Sequence, residues 1–200
     1  SLRTHPDISD VFRISSVSFP EETLLLFYKK KEKDGTLRVF SARSRDGLEW
    51  SQVTEADTIR ELGTVVDFQR GGDARYGLFF GERTIKLALS SDLKRWHVRR
   101  ASLLKPREHF FDEGPLSIGT AVSAGNGVLI FYVSENREGR QCIGSALVGN
   151  SDPKTVLWRT EEPLWMSPNE WLGRDVRFVG AVPRMGKVLL YWSVDGKLFV

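Results

Sequence analysis

Two stretches of the sequence are near copies of each other: Ser44-Arg-Asp-Gly-Leu-Glu-Trp50 and Ser90-Ser-Asp-Leu-Lys-Arg-Trp96. A looser third copy is Ser151-Asp-Pro-Lys-Thr-Val-Leu-Trp158. Recurrence of one turn with an aromatic anchor is typical of repeat architectures, in which neighbouring units stack on one another. We therefore expect the tryptophan that ends each copy to pack between adjacent repeats, because large aromatic side chains bury the most area at such contacts.

Pairs of aromatic residues mark the same repeat at an earlier position. They begin at residues 27, 79, 131 and 191, so they are 52, 52 and 60 residues apart. The pairs are Phe27-Tyr28, Phe79-Phe80, Phe131-Tyr132 and Tyr191-Trp192. Around them, short runs of alternating apolar and polar residues are bounded by Gly, Pro, Asp or Asn, which predicts β-strands joined by turns. No stretch keeps a helical period, so the sequence predicts an all-β fold.

Units of about 50 residues with up to four short strands describe the blades of a β-propeller. The predicted blades cover approximately 10–56, 57–104, 105–162 and 163–200. The predicted innermost strands cover 14–19, 64–68, 117–123 and 177–182. The last unit has no room for a fourth strand, so about three and a half to four blades are present, in a single propeller domain or a portion of one. A β-sandwich would explain the strands but not the repeated turn.

The composition narrows the possible functions. Hydrophobic residues are 40% and charged residues 28%, as in ordinary globular proteins. The apolar runs are far shorter than the roughly 20 residues that span a bilayer, so no membrane segment is expected. The net charge of +3 is spread along the chain, which does not indicate nucleic-acid binding. The single cysteine, Cys142, lies in a strand-like run and is expected to be a buried thiol.

Motifs for bound groups are also missing from the sequence. It has no Gly-rich phosphate loop and no His or Cys pair at metal-ligand spacing, so we expect neither a metal nor another cofactor. An open sheet edge can pair with another chain, which leaves a homo-oligomer possible.

Three segments near the end of the chain carry a family resemblance. They are Thr160-Glu-Glu-Pro-Leu-Trp165, Gly173-Arg-Asp-Val-Arg-Phe-Val-Gly-Ala-Val-Pro183 and Val188-Leu-Leu-Tyr-Trp-Ser-Val-Asp195. Together they resemble the end of glycoside hydrolase family 130, the β-mannoside phosphorylases and related mannosidases, while the repeated turns resemble the blade turns of five-bladed glycosidase propellers. The resemblance implies a five-bladed propeller that acts on mannosides or related sugars through a carboxyl general acid.

Glycoside cleavage requires one carboxyl to protonate the leaving oxygen, and a second carboxylate, an activated water or a phosphate to attack. Asp67 interrupts the apolar strand Thr64-Val-Val-Asp-Phe68, where a carboxylate is costly unless it is paired or faces water. The resemblance places Asp67 at the family's general acid, although Phe68 stands where the family has proline. The alternative is a solvent-facing residue on an edge strand, or one that binds the backbone of a turn.

The adjacent acids Asp112 and Glu113 precede a Gly-Pro turn and are the other catalytic candidates. His109, close by, could donate a proton or a hydrogen bond to a sugar. The alternative for this segment is a solvated loop.

Residues near the end of the chain are candidates for substrate binding. Arg177 could bind a sugar hydroxyl or an anion, or it could form a structural ion pair with Asp175. Trp165 and Trp171 offer flat faces on which a sugar ring could stack, although a core role is equally open. Asp195 matches the final Asp of the family, and a Val-Asp-Gly-Lys hairpin explains it equally well.

Three functional hypotheses follow from these patterns. The chain is a glycoside-cleaving propeller, a propeller that binds carbohydrate without cleaving it, or a scaffold that binds a protein partner. Hydrolysis is favoured over phosphorolysis, because the family's phosphorylases carry Tyr-His-Gly where this chain has Phe131-Tyr-Val-Ser134.

Overall fold

The computed structural model describes residues 13–15, 24–31, 34–68, 75–125 and 127–200. Most of the strand expected over 14–19 lies outside these residues. The described residues form β-strands and one short 3₁₀ turn, Asn169–Trp171, with no α-helix among them, and this confirms the all-β prediction. The strands make four separate antiparallel sheets. Among the described residues, no helix has the length and hydropathy required to cross a bilayer.

In the first two sheets each strand pairs with the next strand along the chain. The first sheet contains β1 (Arg13–Ser15), β2 (Leu24–Lys31), β3 (Leu37–Ser44) and β4 (Ser51–Glu55). The second contains β5 (Gly63–Asp67), β6 (Tyr76–Phe80), β7 (Lys86–Ser90) and β8 (His97–Val98). This simple up-and-down order is the topology expected of propeller blades.

The third and fourth sheets have the same order. The third contains β9 (Ser117–Ala124), β10 (Gly127–Glu135), β11 (Gln141–Gly149) and β12 (Val156–Arg159), and the short β13 (Trp165–Met166) also pairs with β11. The fourth contains β14 (Val176–Arg184), β15 (Lys187–Val194) and β16 (Lys197–Phe199). The third sheet therefore ends at Met166, beyond the predicted blade boundary at 162, because β13 returns to pair with β11.

The chain folds as two compact units: Ser1–Phe80 with Leu87–Arg100, and Gly81–Lys86 with Ala101–Val200. In the first unit, residues of the first two sheets share one apolar cluster. Phe27 of the first sheet meets Trp96, which follows the turn after β7, edge to face, with ring centroids 5.8 Å apart. Such pairs contribute about 0.5–1.5 kcal/mol beyond the area that they bury.

In the second unit, the third and fourth sheets pack in the same way. Phe131 and Ile143 of the third sheet form one cluster with Ala181 of the fourth. Cys142, which precedes Ile143 in β11, is fully buried as expected, and its burial raises the pKa of the thiol to about 11. The thiol therefore stays protonated at neutral pH.

The second copy of the repeated turn shows why its residues recur. The Oγ of Ser90 accepts the backbone N–H of Leu93 at 2.9 Å. The Oδ1 of Asp92 accepts the N–H groups of Lys94 and Arg95 at 2.9 and 2.8 Å. These side chains therefore satisfy backbone donors that the turn leaves without a strand partner.

The first copy forms a similar turn. Ser44 and Asp46 accept backbone N–H groups in the same positions, and Gly47 has a φ of 75° where Leu93 has 65°. Trp50 and Trp96, which end the two copies, are both buried. Trp96 packs between repeats as predicted, because it meets Phe27 of the first sheet, whereas Trp50 clusters with residues of its own sheet.

The expectation for Trp158 is wrong, because its side chain is 51% exposed. In the third copy Trp158 lies six positions after Asp152, whereas in the other two copies the Trp lies four positions after the Asp. The hydroxyl of Thr155 donates to Asp152 in a different turn, and the tryptophan falls within the edge strand β12.

We predict that Ser90→Ala destabilises the protein by about 1–3 kcal/mol, because the buried N–H of Leu93 loses its acceptor. Urea unfolding followed by tryptophan fluorescence measures the change. The exposed neighbour gives a matched control, since Ser91→Ala should leave the midpoint unchanged. Equal effects of the two substitutions would contradict the role of the Ser90 hydroxyl.

We also predict that the turn weakens at acidic pH. The hydrogen bond from the Arg95 N–H is the main reason that the pKa of Asp92 lies below its ordinary value of 3.8. A lowered pKa stabilises the fold above the unfolded-state value, and that stabilisation is lost as the pH falls through the folded-state value. The difference in unfolding free energy between wild type and Asp92→Ala should therefore be full at pH 6 and shrink below pH 3.8. A difference that does not change with pH would exclude this contribution.

Candidate functional site

The buried carboxylate of Asp112, in the loop before β9, is the centre of a hydrogen-bond network. Arg107 donates from Nε to Oδ1 and from Nη2 to Oδ2, both at 3.0 Å. Arg159 Nη2 and the Tyr132 hydroxyl also donate to Oδ2, at 2.6 and 2.7 Å. The carboxylate is completely inaccessible to solvent, and burial of such a group requires this kind of compensation. We call these four residues the Asp112 clamp.

The clamp connects the loop to two strands of the third sheet and to the segment after β12. Arg107 also donates to the carbonyl of Thr160, at 2.6 Å. Arg159 donates to the carbonyl of Lys105 at 2.8 Å and to the Tyr132 hydroxyl at 3.0 Å. Burial raises the pKa of Tyr132, so its hydroxyl remains a donor at neutral pH.

Glu113, the next residue, lies at the protein surface beside a shallow depression of about 260 Å³. Arg137 Nε donates to its carboxylate at 2.7 Å, and Arg137 Nη2 lies 3.4 Å from His109 Nδ1. The depression is lined by His109, Phe110, Phe111, Glu113, Asn136, Arg137 and Glu138. Aromatic rings combined with a few convergent polar groups are characteristic of small-molecule sites.

The backbone beside the depression is strained. His109 has a φ of 65° in the turn that the Phe110 N–H closes on the Arg107 carbonyl. A residue with a side chain pays about 1–2 kcal/mol for this left-handed conformation. Leu93 has the same φ in the repeated turn, so this conformation is a property of the turn and does not by itself mark a functional site.

The predicted stacking residues Trp165 and Trp171 lie together in an aromatic cluster. Their ring centroids are 6.0 Å apart, Trp165 lies 4.7 Å from Trp192, and Trp171 lies 5.5 Å from Phe199. All four rings are partly exposed. The cluster combines packing between sheets with ring surface that solvent can reach.

The other predicted binding residues form surface ion pairs. Arg177 donates to Asp175 at 2.8 Å, and Arg174 donates to Asp195 at 2.7 Å. The latter bond is the main cause of the lowered pKa of Asp195. Asp195 and Gly196 both have positive φ, at 48° and 79°, so Asp195 occupies the two-residue hairpin between β15 and β16.

Asp67, the predicted general acid, is the last residue of β5 and is 6% exposed. Arg75 donates to one of its carboxylate oxygens from Nε and Nη2, at 3.1 and 2.9 Å. The guanidinium of Arg75 also lies 5.0 Å from the ring centre of Tyr76. An acid in an apolar strand thus has the ionic partner that its position requires.

The structure brings some of the predicted residues together and separates others. Within the second unit, His109 and Glu113 meet at the depression, and Trp165 meets Trp171. Asp67 belongs to the other unit. Each predicted carboxylate has an arginine nitrogen within 3.0 Å.

Sequence reasoning missed three arginines as partners of these carboxylates: Arg107, Arg137 and Arg159. Two of them come from separate strands or turns, and no local sequence pattern marks them as partners.

No protein-family model matches the sequence, and no curated protein matches it. Several solved structures have the same fold. A glycosyl hydrolase from Bacteroides ovatus has 20% identity and a TM-score of 0.71, with 93% of this chain and 62% of that chain covered. A β-1,2-mannobiose phosphorylase from Listeria innocua, in complex with β-1,2-mannobiose, has 21% identity and a TM-score of 0.67, covering 92% and 54%.

A third structure comes from glycoside hydrolase family 130, the mannoside phosphorylases. That family is described as containing glycoside hydrolases that target β-1,2 mannosidic linkages in Candida mannan. The structure has 21% identity and a TM-score of 0.70, covering 93% of this chain and 62% of that chain. This chain thus spans less than two thirds of the length of these structures. The comparisons confirm the predicted resemblance and the β-propeller fold of the five-bladed glycosidase type.

We predict that Asp112→Ala lowers the free energy of unfolding by about 3–5 kcal/mol, because it leaves two arginines without their buried counter-charge. Thermal and urea unfolding measure the loss. Asp175→Ala removes a solvent-exposed ion pair from the same unit and should have little effect. A small loss for both variants would show that the clamp does not stabilise the fold.

Proposed function

We propose that this protein binds carbohydrate, with mannosides or related sugars as its ligands, at the depression beside Glu113. The observation that carries the proposal is the contact of Arg137 with both Glu113 and His109, next to the ring of Phe110, which is 42% exposed. Sugars present hydroxyls to polar groups and C–H faces to aromatic rings, and this depression offers both. The glycosidase-type fold supports the same class of ligand.

The charges at the depression suit a neutral ligand. Glu113 is paired with Arg137, and Glu138 is paired with Arg140 at 3.3 Å. Ion pairs of this kind offer donors and acceptors of hydrogen bonds without an excess of either charge. The partly exposed rings of Trp165 and Trp171 give a second surface on which a longer saccharide could stack.

Glycoside cleavage is the second candidate function, and the likeness to glycosidase structures favours it. Among the three predicted catalytic carboxyls, Glu113 has the most accessible side chain, 18% exposed against 4% for Asp67 and none for Asp112. We propose Glu113 or Asp67 as its general acid. An arginine is bound to each of these two carboxylates, so substrate would first have to displace that arginine.

We predict that Arg137→Ala weakens binding of β-1,2-mannobiose by at least about tenfold, since it removes the group that orients both Glu113 and His109. Isothermal titration calorimetry measures the affinity. Arg38→Ala, which breaks an exposed ion pair with Glu55 in the other unit, is the matched control and should bind normally. Equal affinity in all three proteins would place the sugar elsewhere, and no binding by the wild type to a panel of mannosides would overturn the proposal.

For cleavage, we predict that Glu113→Gln and Asp67→Asn lower the rate of aryl mannoside hydrolysis, by about 10²–10⁴ for whichever residue is the general acid. Wild type and both variants should be assayed with and without inorganic phosphate. A rate independent of phosphate would indicate hydrolysis. Full activity in both variants would exclude them as acids, and an inactive but folded wild type that binds sugar would leave binding as the function.

A further inference from the structure

We infer that the Asp112 clamp positions the sugar-contacting residues of the depression, so that Asp112, Arg107, Arg159 and Tyr132 determine affinity without touching the ligand. This inference rests on the proposed function of the depression. Asp112 is fully buried, and its neighbour Glu113 is accessible at the depression. The same short segment therefore carries both the carboxylate that holds the loop in place and the carboxylate that would contact the sugar.

The clamp closes the loop that forms one wall of the depression. Arg107 bonds Asp112 through its side chain, and its backbone N–H also donates to the Asp112 carbonyl, at 3.1 Å. His109 and Phe110 lie between these two residues in the chain. Fixing Arg107 to Asp112 at both points therefore restricts the backbone that presents the imidazole and the phenyl ring.

The same arginine also orients an aromatic wall residue directly. The guanidinium carbon of Arg107 lies 4.3 Å from the ring centre of Phe110 and 5.9 Å from that of Phe111. The Phe111 ring in turn stacks on Tyr132, with centroids 6.5 Å apart and planes 11° apart. The two rings of the depression are thus held by two members of the clamp.

The other side of Glu113 is anchored as well. The hydroxyl of Ser134 donates to the carbonyl of Gly114 at 3.1 Å. A Cβ at Gly114 would collide with the carbonyl oxygen of Glu135, so the chain passes too close to β10 for any other residue. Glu113 therefore lies between two fixed points, which lowers the entropy lost when a ligand binds it.

Tyr132→Phe tests the inference because it removes only the hydroxyl that donates to Asp112 and accepts from Arg159, and keeps the ring that stacks on Phe111. Ile130→Val, on the same strand and fully buried, is the control for a general loss of stability. We expect the affinity for β-1,2-mannobiose to fall about tenfold in Tyr132→Phe and to stay unchanged in Ile130→Val. Equal affinities in the two variants would overturn the inference while leaving sugar binding intact.

Amide hydrogen exchange of the ligand-free protein gives a readout that does not depend on sugar binding. The amides of residues 107–113 should exchange faster in Tyr132→Phe than in wild type or Ile130→Val. The exchange rates of amides in the strands of the third sheet should stay unchanged. If the wild type binds no sugar, the proposed function fails, but faster exchange confined to this loop would still support the clamp. Exchange that is the same in both variants would refute it.

Discussion

Each unit of this protein is held together by the burial of one sheet face against the apolar face of another. A four-stranded sheet of this size cannot exclude water from its apolar residues alone, so it is stable only when a neighbouring sheet covers it. Phe27 and Trp96 make this contact in the first unit, and Phe131 and Ala181 make it in the second. Because the strands supply these contacts, the loops that join them can carry polar groups without loss of the fold.

The loop before β9 illustrates how function can be added to such a scaffold. Asp112 is fully buried and is paired with two partly buried arginines, whereas the side chain of Glu113 is 18% exposed and is paired with Arg137. Both carboxylates accept hydrogen bonds from arginine side chains. One peptide bond thus links a fully buried ion pair to a polar side chain that solvent can reach.

Part of the candidate site could be anticipated from residue type and position. Asp67 interrupts an apolar strand, and a carboxylate there must have a partner, which the structure supplies in Arg75. The identity of that partner could not be predicted, because it depends on how the antiparallel pairing of β5 with β6 brings two strand ends together. For Trp158 the repeat gave a wrong prediction. Two additional residues changed the turn in the third copy, so this tryptophan lies exposed in an edge strand.

By itself, the sequence determined the strand pattern, the two Ser-x-Asp-x-x-x-Trp turns and the propeller fold class, because these depend on alternation and on hydrogen bonds between residues close in the chain. Only the tertiary structure decided which acids are buried, which arginines neutralise them and which aromatic rings meet. Arg159 bonds Asp112 across 47 residues of sequence, and Trp165 meets Trp192 across a contact between two sheets. Such contacts depend on how whole sheets pack, and no local pattern of residues encodes that packing.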